Sequence, residues 1–361
     1  MSQPHDDKPR RYWTRKNITG ALITVVVAAS FLIPTPYYLN QPGTAEVLAP
    51  KVTVQGGAKD EKGNLMLTTV LSMQATNIYY LAYGYIWPNT EIKKEEDVRG
   101  NMSDNEYDRL LKHMMDSSQQ CAVISGFHAA GLAVDITYDG VFVRSIVENS
   151  KAAGFLQVGD VITEVDGHAV VKSDDLIKYI NTSKKPGDVV NVKFTRFKDD
   201  KQEQKEANIP LMDLTDPKDP NAQKRVGFGV YPENEMKIKP PQDVQIHAED
   251  IGGPSAGLMF SLEIYSQLTE GDLTKGYKIA GTGTIDIDGH VGQIGGIQHK
   301  IVAADKAGAE IFFAPADLTS DDSNTQVAKQ EAEKIGSKMK IVSVKTLQDA
   351  LDYLHSLPDK K

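Results

Sequence analysis

Gly252-Gly-Pro-Ser255-Ala-Gly257 interrupts two apolar runs, and a helix is predicted straight after it, over residues 254–268. Proline is favoured in a first helical turn, and Leu258, Leu262 and Tyr265 recur at helical spacing. Ser255 then stands at a helix N-terminus, beside unpaired backbone N–H groups and the positive end of the dipole. Such donors suit an oxyanion, and the backbone at Gly253, Pro254 and Ala256 is assigned to that role. Two readings of Ser255 stay open on position alone, a helix cap and a nucleophile for acyl transfer.

A nucleophilic serine needs a base. Gly253-x-Ser255-x-Gly257 formally matches the G-x-S-x-G elbow, which calls for an acid and a histidine downstream, and His290, His299 and His355 are available. The residues ahead of the serine, 247–252, do not read as the buried strand that an elbow requires. Lys300 is the better base. Gly295-Gly296 opens a predicted helix running to about residue 307. The neighbours of Lys300 on that helix are Gly296, Ile297, Ala303 and Ala304. An ammonium on so apolar a face loses hydration, and its pKa falls toward neutrality. The alternative is a surface lysine whose stem lies on the protein and whose head stays in water.

Residues 124–210 have a different texture. Residues 141–147 alternate as a strand, and residues 161–165 form another, closed by the hairpin signal Asp166-Gly167. Ser173 is placed to cap a helix carrying Leu176, Ile177 and Ile180 on one face, and residues 189–197 alternate again. Tyr138-Asp-Gly-Val-Phe-Val143 and Ala152-Ala-Gly-Phe-Leu-Gln-Val-Gly-Asp160 resemble a bacterial PDZ domain. The resemblance implies a peptide groove between the strand at Val141, Phe142 and Val143 and the helix over 173–182, with a carboxylate-binding loop at Asp139 and Gly140. Residues 215–221 read as a loop, and residues 231–242, with Pro232, Pro240 and Pro241, as a second polar stretch.

The motif around Ser255, together with Ala280-Gly-Thr-Gly-Thr284 and Gly289-His-Val-Gly-Gln-Ile-Gly-Gly-Ile-Gln-His-Lys300, closely resembles the proteolytic domain of Lon-family Ser–Lys peptidases. The resemblance is strong over 225–315 and weaker back to Val52. It implies Ser255 as nucleophile, Lys300 as general base, and Thr282 as the threonine that hydrogen-bonds and orients the lysine. The sequence departs from the usual Lys-Asp-Gly-Pro in having Asp250-Ile-Gly-Gly-Pro254. It also contains no G-x-x-x-x-G-K-[ST] run, so the expected activity needs no ATP.

Arg10, Arg11, Arg15 and Lys16 precede a stretch without charge from Asn17 to Ala45. As helix, residues 18–39 would span roughly 33 Å, enough for a bilayer. The basic side should face the cytoplasm, which puts the rest of the chain outside the cell membrane. A cleaved signal peptide, with small Ala28 and Ser30 at the cleavage site, is the other reading. The prolines at 34 and 36 are expected to end the helix near Ile33, with the tyrosines at the interface.

The chain has 361 residues, a formal charge of −9 and one cysteine. That balance argues against a nucleic-acid binder, and the lone Cys121 excludes an intramolecular disulfide or a multi-cysteine zinc site. No metal or other cofactor is expected. His247, Glu249 and Asp250 lack further ligands at metal spacing, and Asp286-Ile-Asp288-Gly289 reads as a turn rather than a calcium loop.

The expected fold is α+β, a Lon-type proteolytic domain with an inserted β-rich PDZ domain and an N-terminal transmembrane helix. Its parts are a basic tail (1–17), an anchor (18–39), the first protease segment (45–123), the PDZ domain (124–210) and the catalytic segment (211–357). The expected function is an ATP-independent, membrane-anchored serine endopeptidase acting on flexible or unfolded extracytoplasmic proteins, and the family resemblance implies a homo-oligomer, a hexamer. A membrane-tethered peptide-binding scaffold with a degenerate protease domain is the competing reading.

Overall fold

The computed structural model describes residues 15–58, 62–198, 201–215, 225–248 and 251–360. The chain divides into a smaller unit, 1–42 with 71–100, and a larger one, 43–70 with 101–361. The first elements are α1 (Arg15–Ser30), β1 (Tyr37–Val47), β2 (Val52–Val54), β3 (Asn64–Gln74), α2 (Ile78–Ile86), β4 (Glu91–Lys94), α3 (Glu95–Arg99) and α4 (Asp104–Ala129). Then come β5 (Asp135–Ile146), β6 (Val161–Val165), β7 (His168–Ala169), α5 (Ser173–Ser183), β8 (Val189–Lys198) and β9 (Lys201–Pro210). They are followed by β10 (Met212–Asp213), β11 (Val226–Gly227), β12 (Val230–Lys239), β13 (Val244–Ile246) and α6 (Gly257–Leu268). The last are β14 (Lys278–Gly281), β15 (Thr284–Ile285), β16 (Val291–Gly292), α7 (Ile297–Lys306), β17 (Ile311–Pro315), α8 (Asn324–Lys334), β18 (Lys340–Val344) and α9 (Leu347–Ser356).

In the smaller unit the expected continuous span over 18–39 is replaced by a helix and a strand. α1 stops at Ser30, and the amides of Phe31, Leu32 and Ile33 reach back only three residues, in tightening turns. Pro34 and Pro36 cannot donate to a longer helix. Tyr37 to Asn40 pair antiparallel with Glu91–Lys94, so the tyrosines expected at a membrane interface lie in a strand. Among the described residues no helix is long and apolar enough to cross a membrane. Arg15 and Lys16, expected in a basic tail, begin α1, while Arg10 and Arg11 lie outside the described residues.

In the larger unit β18, β17, β14 and β3 form a parallel array in that order. Successive side chains of a strand face opposite sides, which divides Ile311 and Phe313 from Phe312 and Ala314. The first pair belongs to a core with α4, α6 and α9, the second to a core with α7 and α8. A sheet covered on both faces needs the unbroken apolar run Ile311-Phe-Phe-Ala314. α4 starts with a reciprocal cap between Ser103 and Glu106. The Gln267 amide ties α6 to β2, accepting from Val54 N at 2.9 Å and donating to Val52 O at 2.9 Å.

The inserted module has its own core around Val141, Val143, Ile162, Leu176, Val190 and Phe194. Its sheet runs β12-β5-β6-β8-β9. The predicted hairpin joins β6 to β7, with Asp166 and Gly167 both at positive φ (49° and 81°) as a two-residue turn of this kind demands. Ser173 is not the cap of α5. The Asp175 carboxylate takes that role, accepting from the amides of Val171 and Lys172. The largest departure is residues 231–242, expected as a polar stretch. Most of it is β12, a ten-residue strand paired antiparallel with β5. Pro232 and four charged residues are tolerated there because β12 lies at the sheet's edge, where a missing N–H breaks no ladder.

Candidate active site

Ser255 sits in the turn between β13 and α6, two residues before the helix. The predicted start at Pro254 is early by three residues, since α6 opens at Gly257. A Cβ at Gly257 would lie 2.8 Å from Ile285 Cγ2 and 3.0 Å from the Ile285 amide, so only glycine lets the helix begin this close to β15. Three contacts hold the turn. Ser118 Oγ, on α4, donates to Pro254 O at 2.9 Å. Gly283 N and Thr282 Oγ1 both donate to Ser255 O at 2.9 Å.

Lys300 projects from the first turn of α7, which starts after Gly296 in the left-handed conformation (φ 71°). Ile297, Ala303 and Ala304 are buried around it, as the apolar spacing implied. Lys300 is 3% exposed, and burial lowers its pKa to about 7. Its Nζ donates to Thr68 O at 2.6 Å and to Ser255 Oγ at 2.9 Å. The serine hydroxyl therefore meets the lysine and not a histidine, which removes the elbow reading. His290 instead bonds Asp286 at the surface.

Thr282 is fully buried, yet its hydroxyl bonds the main chain of Ser255 and not the expected Lys300. The lysine is oriented by the Thr68 carbonyl on β3. That contact is a backbone group, so no side-chain pattern in the sequence announces it. The backbone donors also need correction. Pro254 has no N–H, and the Gly253 amide faces Leu111 O at 3.5 Å. Among the described residues the amides of Ser255 and Ala256 have no protein acceptor, which leaves these two at the N-terminus of α6 for an oxyanion.

The peptide groove expected on β5 finds no free strand edge there. β5 is flanked on both sides, by β12 and by β6, so Val141, Phe142 and Val143 are buried and offer no open edge. Asp139 is ion-paired with Lys237, and the Gly140 amide bonds Val171 O. The edge adjoining α5 belongs to β12. Asn234 Oδ1 accepts from Ser173 N at 2.7 Å, and Asn181 Oδ1 accepts from Val226 N at 3.0 Å, tying both ends of α5 to β11 and β12. Gly229, at φ 75°, turns the chain into that strand behind the buried Phe228. The sequence signal for it was Gly227-Phe-Gly229 ahead of the Pro232 of an edge strand.

Asp286, Asp288 and His290 bring one ligand atom each within 4.8 Å of one another, all exposed. They form the turn of the β15–β16 hairpin, as read, and Asp286 already accepts from the amides of Asp288 and His290. Glu249 and Asp250 lie outside the described residues.

Residues 128–211 match the PDZ domain family, and residues 225–356 match the Lon protease (S16) C-terminal proteolytic domain. A Lon protease of Campylobacter concisus is 37% identical over 99 residues, covering 27% of this chain and 11% of that protein. One from Trichlorobacter lovleyi is 33% identical over 121 residues, covering 34% and 13%. This chain thus spans only a small part of the length of the curated relatives it matches. The PDZ domain of an SdrC-like protein from Listeria monocytogenes is 39% identical, covering 27% of this chain and 92% of that one with a TM-score of 0.22. The Lon match supports a serine peptidase.

Proposed function

We propose that this chain is an ATP-independent serine endopeptidase in which Ser255 and Lys300 form the catalytic dyad. The observation that carries the reading is the 2.9 Å contact between Lys300 Nζ and Ser255 Oγ in a buried site that lowers the lysine pKa to about 7. The neutral amine takes the hydroxyl proton as Oγ bonds the substrate carbonyl carbon. The amides of Ser255 and Ala256 carry the resulting oxyanion. As the intermediate collapses, the C–N bond breaks and the Lys300 ammonium returns its proton to the leaving amine. Water then attacks the acyl ester, Lys300 takes a proton from it, and Oγ recovers that proton as the acid is released. Thr68 O holds one N–H of Nζ throughout, which fixes the direction in which the amine presents itself to Ser255.

The peptide-binding role belongs to the β12 edge beside α5, where an extended segment adds as a further strand. With no nucleotide-binding run in the sequence, the substrates are flexible or already unfolded proteins. The charge-free N-terminal stretch, with basic Arg15 and Lys16 before it, supports a membrane-held protein whose body lies outside the cytoplasm. The Lon likeness supports a ring-forming homo-oligomer.

Incubation of the chain with casein, without ATP, tests the reading. Cleavage lost in both Ser255→Ala and Lys300→Ala supports the dyad. Cleavage retained in either, or absent from all three with peptide bound at β12, overturns it in favour of a binding scaffold.

A further inference from the structure

We propose that α2 is an interfacial element that lies in the headgroup region of a lipid bilayer, alongside α1. The proposal deepens the membrane reading above and rests on it. α2 reads Ile-Tyr-Tyr-Leu-Ala-Tyr-Gly-Tyr-Ile, and no charged residue occurs from Gly63 to Thr90. Asn77 caps its start, accepting from the amides of Tyr79 and Tyr80. Only Gly84 is buried, because a Cβ there would lie 2.6 Å from Leu39 Cδ2. The missing side chain seats the helix on the β1–β4 pair and turns everything else outward. Tyr85, Ile86 and Trp87 are 78%, 82% and 55% exposed, and Ile78, Tyr79, Tyr80 and Tyr83 are exposed too.

That surface continues onto α1. Phe31 stacks on Tyr79 with ring centroids 4.3 Å apart, and Ser30 Oγ lies 2.6 Å from Tyr79 Oη. α1 has no buried residue, and its apolar side chains are exposed all round. A helix apolar on every side is suited to lipid, whereas a helix docking on protein shows one stripe. The chemistry of α2 points the same way. A protein interface has an apolar centre and a polar, charged rim, whereas α2 itself carries no charged side chain. Tyrosine and tryptophan, with an apolar body and one polar tip, collect where hydrocarbon meets headgroups.

The experiment uses the 361-residue chain carrying Trp13→Phe, since the sequence has two tryptophans and this leaves Trp87 alone. It is mixed with vesicles of phosphatidylcholine and phosphatidylglycerol, with or without bromine on the acyl chains, and vesicle flotation is followed in parallel. The expected result is a blue shift and quenching of Trp87 by about half on brominated vesicles, as for a side chain at the acyl boundary. Adding Tyr85→Glu and Ile86→Glu should abolish the quenching while the chain still floats through α1. Flotation with Trp87 unquenched overturns the proposal and leaves the membrane reading standing. A chain that does not float overturns both. Blue-shifted emission without lipid, lost on dilution, overturns it in favour of a second copy of the chain as the cover.

Discussion

Thr68 O accepts from Lys300 Nζ at 2.6 Å, so a main-chain carbonyl, not a carboxylate, is the lysine's fixed partner. A carboxylate there would hold the ammonium charged and raise its pKa, while a carbonyl supplies no charge and leaves burial to lower it. The base can thereby lose its proton from about pH 7 upward without losing its orientation.

Peptidase activity should therefore rise with pH through a single step near 7, because the protonated lysine cannot accept the serine proton. A kcat/KM profile on a small peptide ester measures it, and a flat profile from pH 5.5 to 8.5 would count against Lys300 as base. Stability carries the same signature. The unfolded chain keeps this proton up to about 10.5, and the folded chain releases it above about 7. Between those limits the unfolded state binds more protons, and stability gains with rising pH. The advantage of Lys300→Met over wild type in urea denaturation should shrink steadily over that window.

Thr282→Val should lower kcat about tenfold, the equivalent of one lost hydrogen bond to Ser255 O, and leave the activity midpoint near pH 7 in place. If the threonine oriented the lysine, as the family likeness implies, the midpoint would move with the substitution. The pH profile of the variant separates the two.

What the sequence made legible here follows from how local each signal is. Ser255 and Lys300 stand in small-residue motifs whose meaning needs no tertiary knowledge, and both reach one site. The bond of Thr282 could not be read, since its acceptor is the main-chain carbonyl of Ser255, which no side-chain pattern announces. β12 was hidden because Pro232, Pro240 and Pro241 mark the stretch as a loop, although Glu235-Met-Lys-Ile-Lys239 alternates as a strand does. Residues 37–39 misled in the opposite direction. Their apolar character is that of a strand with Leu39 buried, and a run of apolar residues looks the same whether a sheet or a bilayer covers it.

Arg196→Met should destabilise the inserted module by about 3 kcal/mol. Asp160 is fully buried, with Arg196 Nε and Nη2 at 2.8 and 2.6 Å. Among the described residues, removing the guanidinium leaves that carboxylate with only the Gln157 amide. Denaturant titration followed by Tyr179, a module residue, through amide signals should show the loss, with active-site amides of α6 less affected. An unchanged midpoint would mean that the Arg196 guanidinium does not hold the Asp160 carboxylate.

The terminal place of β12 in its sheet makes a prediction that a groove on β5 would reverse. In the free protein, amides of Val230–Lys239 that face away from β5 have no ladder partner among the described residues and should exchange with solvent within seconds to minutes, whereas those of Val141 and Val143 are shared within the sheet and stay protected. A bound peptide of extended conformation should slow exchange along β12 by at least about tenfold, as each new bond closes an exposed donor. β5 should not change. Protection appearing in β5 instead would require β12 to leave the sheet on binding, and the loss of its nine paired positions would be seen at once in Tyr138 and Phe142.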